Sequence, residues 1–181
     1  MNSNYKIEQL EKELRFSENF RNKVNLADAY VEVSRYQDAI DLYISCLQGF
    51  MADDPSLRMK LLYAYFMNGD YATAADCGNK LELEKSFKDA EERVVYAWSL
   101  YLTGQTELAE RIFENMDKSF TNYYQRMEYC KFLLKVEKKE EAKKKLTELV
   151  EEFEHMKGPE RQLKKETFRE IKELYTSHVR A

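Results

Sequence analysis

The sequence predicts an all-α chain built from repeated helix pairs, and three observations carry that reading. Only two prolines and five glycines interrupt 181 residues. Leu, Lys, Glu, Ala, Tyr and Met are plentiful, and such side chains lose little rotamer freedom in a helix, whereas glycine loses the most backbone freedom. Ala39, Ala74, Ala109 and Ala142 recur after 35, 35 and 33 residues. The same steps join three large-apolar series: Leu26, Leu61, Tyr96, Tyr129; Tyr30, Tyr65, Leu100, Leu133; and Cys46, Leu81, Met116, Leu149. A period of this length marks stacked two-helix units, a solenoid, rather than an ordinary helical bundle.

The elements follow in order. Residues 1–19 hold an N-terminal helix whose Ile7, Leu10 and Leu14 share one face and suit covering the first unit. Four units are expected at 20–54, 55–89, 90–122 and 123–156. Each opens with a helix carrying apolar residues at helical spacing, as in Leu61, Leu62, Tyr65 and Phe66. A tight turn follows, Asn68-Gly69-Asp70 in the second unit and Thr103-Gly104-Gln105 in the third. Its glycine stands where a helix ends in a left-handed residue. Only glycine adopts that ending cheaply; Ser34 and Glu137 hold the equivalent place in the outer units, so those turns are expected to lack the cheap ending. The alanine of each second helix lets the pair approach closely. Asp54-Pro55 reads as a cap and first turn between units. After Gly158-Pro159, one last helix over 158–181 carries Leu163, Phe168, Ile171, Leu174 and Tyr175 as a stripe that would cap the array.

The period, the Leu26-Ala27…Tyr30 pattern, the Gly69-Asp70-Tyr71 turn and the alanine series resemble the tetratricopeptide-repeat family over about residues 20–156. The resemblance implies one domain: a right-handed α-α superhelix of about four helix pairs, with the first helix of each pair lining a concave side. The sequence departs from the family at Gly78, where an aromatic or leucine is usual, and in the lysine-rich turn Glu137-Lys138-Lys139. The segment LQGFMADDPSLRMKLLYAYF, with basic Arg161 to Lys165, is similar to poorly characterised bacterial proteins of this type. Some of those carry a membrane anchor ahead of the repeats; no such segment stands in this sequence.

Charge narrows the function classes. Charged residues make up 34% of the chain and its formal net charge is −4, which argues against a general nucleic-acid binder. The opening MNSNYKIEQLEKEL has acidic residues where a signal peptide needs an apolar core, and the longest apolar run is Leu61 to Met67. The sequence as given is therefore expected to be neither secreted nor inserted in a membrane. Scattered Cys46, Cys77 and Cys130 suit reduced thiols and a cytoplasmic setting.

One helical step from the buried series gives the inward face: Val24, Asp28, Val31 and Glu32, then Met59, Tyr63, Phe66 and Met67, then Val94, Trp98, Tyr101 and Leu102, then Met127, Lys131, Leu134 and Lys135. The candidate partner-binding residues are Met59, Tyr63, Phe66, Met67, Val94, Trp98, Tyr101, Leu102, Met127, Lys131 and Lys135. Rings and methionines favour binding surfaces. Acids at one end (Asp28, Glu32) and lysines at the other (Lys131, Lys135) would orient a bound segment. Aromatics at this spacing are also the mark of a core, and the chain's termini or a second copy are alternative occupants. Tetratricopeptide co-chaperones that clamp a C-terminal carboxylate use groove lysines, asparagines and an arginine. Val24, Asp28, Met59 and Tyr63 stand in those places here, so the resemblance implies no such clamp.

The lysines of 138–145 interleave with Glu140 and Glu141 and read as a solvated helix face. His155 and His178 stand apart, and no metal-spaced cluster, phosphate loop or activated nucleophile appears. No catalytic, cofactor or metal residue is assigned, and the chain is expected not to be an enzyme. Three readings remain: a scaffold for a protein or peptide partner, a self-associating homodimer that buries the same surface, and an accessory subunit of a membrane-associated complex.

Overall fold

The computed structural model describes residues 3–179, in which eleven α-helices and two short 3-10 turns occur and no strand. The chain divides into two compact units, 1–109 and 110–181.

The first unit begins with α1 (Ser3–Phe16), followed by α2 (Phe20–Glu32) and α3 (Tyr36–Cys46). A 3-10 turn at Gly49–Met51 leads to α4 (Pro55–Met67) and α5 (Tyr71–Leu81). A second at Lys85–Phe87 leads to α6 (Glu92–Leu102), and α7 (Thr106–Met116) starts here and continues into the second unit. Local chemistry sets the starts. The side chains of Asn19, Asp54 and Asp70 accept the amides of Asn22, Leu57 and Thr73 at 3.0, 2.8 and 3.1 Å, and Pro55 occupies the first turn of α4, where its missing N–H costs nothing. Helix α1 buries Ile7 and packs Leu10 and Leu14 against the core shared by α2, α3 and α4. It is also tied to α2 by Lys6–Glu32 (2.7 Å) and by the Tyr30 hydroxyl, which donates to Glu11 (2.9 Å).

The second unit holds the rest of α7, then α8 (Tyr123–Lys135), α9 (Lys139–His155), α10 (Gly158–Leu163) and α11 (Lys165–His178). Phe168 and Ile171 of α11 are buried against α8 and α9, and the Phe168 ring stacks on Phe153 with centroids 3.7 Å apart. The single last helix expected from the sequence is two. The chain bends at Lys164 (φ −97°, ψ 9°), which leaves Leu163 exposed and off the stripe. The bend sets the Arg161 and Lys164 cations 4.7 and 5.4 Å from the ring centres of Phe153 and Tyr123. Arg126, only 3% exposed, ties α8 to α9: it donates to Glu152 at 2.6 and 2.9 Å and to Asp117 at 2.9 Å. Glu152 also accepts the Phe120 amide at 3.0 Å, holding that residue in the left-handed region (φ 60°).

The alanine series is fully buried at all four positions, as close helix pairing requires. Of the three large-apolar series only Tyr65 keeps partial exposure. The turns within pairs share one closure. The amides of Arg35, Asp70, Gln105 and Lys138 donate to the carbonyls of Tyr30, Tyr65, Leu100 and Leu133 at 2.8–3.0 Å. The residue before each donor is left-handed: Ser34 (φ 61°), Gly69 (83°), Gly104 (84°) and Glu137 (61°). The outer turns therefore reach the same left-handed ending without the glycine that adopts it cheaply, because the backbone bond holds residues there that do not favour it.

The glycine at 78 also has its explanation. A Cβ built there would lie 2.0 Å from the Tyr96 ring, so the large residue usual at this place has moved across the interface to position 96. One period earlier the arrangement is reversed, with Tyr43 and Leu61 in one core cluster.

Candidate functional site

In the first unit the expected inward residues lie on α2, α4 and α6. Tyr63, Met67 and Leu102 are exposed at 38%, 41% and 47%, and Met59, Phe66, Trp98 and Tyr101 are half-buried beside them. Two ring pairs stiffen the surface: Phe66 meets Tyr71 edge-on at 5.3 Å, and Trp98 meets Tyr101 edge-on at 5.8 Å, one helical turn away.

Two of the expected site residues are core residues instead. Val94 is 2% and Met127 1% exposed. Each lies three residues before a fully buried position, Ala97 and Cys130, so it falls on the same helical stripe as the core. Residues one step further, such as Trp98, rotate toward the surface. In the second unit, Lys131 is half-buried and Lys135 exposed.

The expected acidic and basic ends are largely neutralised within the chain. Both Asp28 oxygens hold the Lys60 ammonium, at 2.7 and 2.9 Å, and the same carboxylate accepts the Tyr43 hydroxyl at 2.5 Å. Burial first, and the hydrogen bond to Asp28 second, push the Tyr43 phenol well above its ordinary value, so it stays a donor. Glu32 is taken by Lys6. Lys131 donates to Glu128 at 2.6 Å and to Glu170 of α11 at 3.4 Å. Burial works against the Lys131 charge, but the Glu128 hydrogen bond and the two carboxylates outweigh it and raise the pKa. Lys135 is exposed and makes no ion pair among the described residues.

Sequence reasoning missed a hollow of about 210 Å³ on the face of the first unit, lined by Asp28, Val31, Tyr43, Lys60, Tyr63 and Glu92. It gathers residues from four helices, and only the common step joining Asp28 to Tyr63 hinted at it. A larger hollow of about 440 Å³ on the same unit is lined by Asp53, Arg58, Lys80 and Glu84, with no ring or apolar group to hold a partner.

Cys46 and Cys130 are buried and Cys77 half-buried, all free thiols. Burial pushes the Cys130 thiol up to about 12, so it behaves as a small apolar side chain. Among the described residues no three His, Cys, Asp or Glu side chains gather to hold a metal ion, and no helix is long and apolar enough to cross a membrane.

These features define an all-helical fold of the tetratricopeptide-solenoid type. No protein-family model matches the sequence, and no curated protein does. Solved structures do match: the crystal structure of MamA, a tetratricopeptide-type helical protein, superposes with a TM-score of 0.66 over 82% of this chain and 87% of that one. The two are 17% identical, so the likeness speaks for the fold.

Proposed function

We propose that the chain is a protein-binding scaffold, not an enzyme, and that the α2–α4–α6 face receives an apolar or aromatic segment of a partner. The observation that supports this is the exposure of Tyr63 and Met67 on α4 and of Leu102 on α6, with Trp98 and Tyr101 of α6 partly open. Rings bring large contact area at low entropy cost, and methionine adapts to the shape it meets. The likeness in fold to MamA supports a scaffold in general. The free thiols fit a reducing compartment such as the cytoplasm.

Trp98, the one tryptophan, serves as the reporter. Its emission, titrated with a panel of leucine- and aromatic-rich dodecapeptides, is expected to change saturably for some members. Tyr63→Ala should weaken that binding about tenfold or more with an unchanged circular dichroism spectrum. A panel that leaves the emission untouched refutes the reading; a variant that unfolds assigns Tyr63 to the core.

Self-association is the second reading. It is favoured by Phe16, Phe50 and Leu83, exposed at 94%, 97% and 94%, each at a connection between helices of the first unit. Sedimentation over a dilution series decides it: a constant monomer mass removes it, and a dimer lost on Phe50→Ser supports it.

A further inference from the structure

We infer that the hollow beside Tyr63 seats a basic side chain, arginine above lysine, carried by the partner segment. This rests on the proposed binding face and adds the chemistry that face selects. The charges lining the hollow do not cancel. Lys60 and Asp28 satisfy each other through two contacts, and the Tyr43 hydroxyl fills a further site on the same carboxylate. That leaves Glu92, half-buried, with no hydrogen bond or ion pair among the described residues. It stands in the first turn of α6, on the rim of the hollow. The hollow thus carries one uncompensated negative charge.

The other walls suit the rest of such a side chain. The Tyr63 ring is 38% exposed, and an aromatic face attracts a cation. Val31 offers an apolar wall for the methylene stem. A planar guanidinium can stack on the ring and pair with the carboxylate, which a compact ammonium does less well. An anion finds no free cation in the hollow and meets Glu92. A neutral apolar group gains nothing from the carboxylate and must desolvate it. Met59, Phe66 and Met67 lie on the same helix as Tyr63, so the basic residue should be flanked by apolar ones.

The test uses the full chain at low salt and two synthetic peptides, acetyl-Leu-Leu-Arg-Leu-Leu-amide and its twin with citrulline, which has nearly the shape of arginine without the charge. Calorimetry is expected to give about tenfold tighter binding of the arginine peptide, a ratio one charge-assisted contact supplies. Glu92→Gln should shrink that ratio to within about twofold while the melting temperature moves by no more than about 2 °C. Equal binding of the two peptides overturns the basic seat and leaves the binding face standing. A tenfold preference that survives Glu92→Gln overturns it too. Absence of binding by either peptide at millimolar concentration overturns both readings. A dimer that the arginine peptide cannot dissociate places a second copy on the face and also overturns the seat.

Discussion

Gly78→Ala is the sharpest test of the packing described here. The added Cβ would stand 2.0, 2.4 and 2.7 Å from Cδ2, Cγ and Cε2 of Tyr96. Ordinary contact begins near 3.4 Å, so the ring would have to retreat by about 1.4 Å (3.4 − 2.0). It has little room to do so. Tyr96 is 2% exposed, its hydroxyl donates to Asn79 at 2.6 Å, and the Phe87 ring centre lies 6.1 Å away. Forcing an extra carbon into a filled core costs about 1–3 kcal/mol, and breaking the Asn79 bond adds about 1 kcal/mol. Replacing glycine by alanine inside a helix returns about 1 kcal/mol. The net expectation is a loss of about 1–3 kcal/mol, read from urea unfolding followed by circular dichroism. Tyr96→Leu alone leaves a cavity and also destabilises. The two together should lose less than the sum, because leucine vacates the space the new methyl needs. A Gly78→Ala chain as stable as the parent, or strictly additive behaviour of the pair, would refute this account of the departure at position 78.

Three further expectations can be checked with the same unfolding assay. Ser34→Gly relieves a left-handed serine while keeping the Arg35 to Tyr30 bond, so stability should rise by about 0.5–1 kcal/mol; a loss would mean the serine is not strained. Arg126→Met strands the carboxylates of Glu152 and Asp117 and should cost about 3–5 kcal/mol, with Glu152→Leu added to it restoring part of the loss. Burial first, and the Glu82 charge second, push the Tyr96 phenol up to about 12, whereas the unfolded chain ionises near the ordinary 10.0. The folded pKa is the higher one, so the stability from the neutral phenol is full below pH 10 and drains away between about pH 10 and 12. Tyr96→Phe should therefore soften the alkaline fall of the urea midpoint; an unchanged pH slope would count against a buried neutral phenol.

Much of the fold was legible because it rests on spacing. The alanine and large-apolar series need only a repeat period to be found, and all of them pack as a repeat of helix pairs requires. What escaped is what depends on neighbours. Ser34 and Glu137 adopt the glycine conformation because a backbone bond demands it, and residue type is silent on that. Val94 and Met127 follow the same step as Met59, yet helical phase places a residue on an arc without fixing where solvent begins. Lys60 reaches Asp28 across 32 residues, and Glu92 joins the same hollow from another helix, so no local pattern could have paired them. The expected charge direction was read from residue types before their partners were known. Lys6, Lys60 and Glu170 answer most of those charges from within the chain.

The shared closure of the four turns has a consequence for how this chain can vary. A bond from amide to carbonyl makes no demand on side chains beyond tolerance of one left-handed residue. The tips of the helix pairs are thus free to drift in charge and chemistry while the scaffold stays constant. They have already diverged: a serine and arginine at the first, glycine and aspartate at the second, glycine and glutamine at the third, and glutamate followed by two lysines at the fourth. New surface chemistry could be grafted at these tips with the smallest disturbance to the buried contacts between helices.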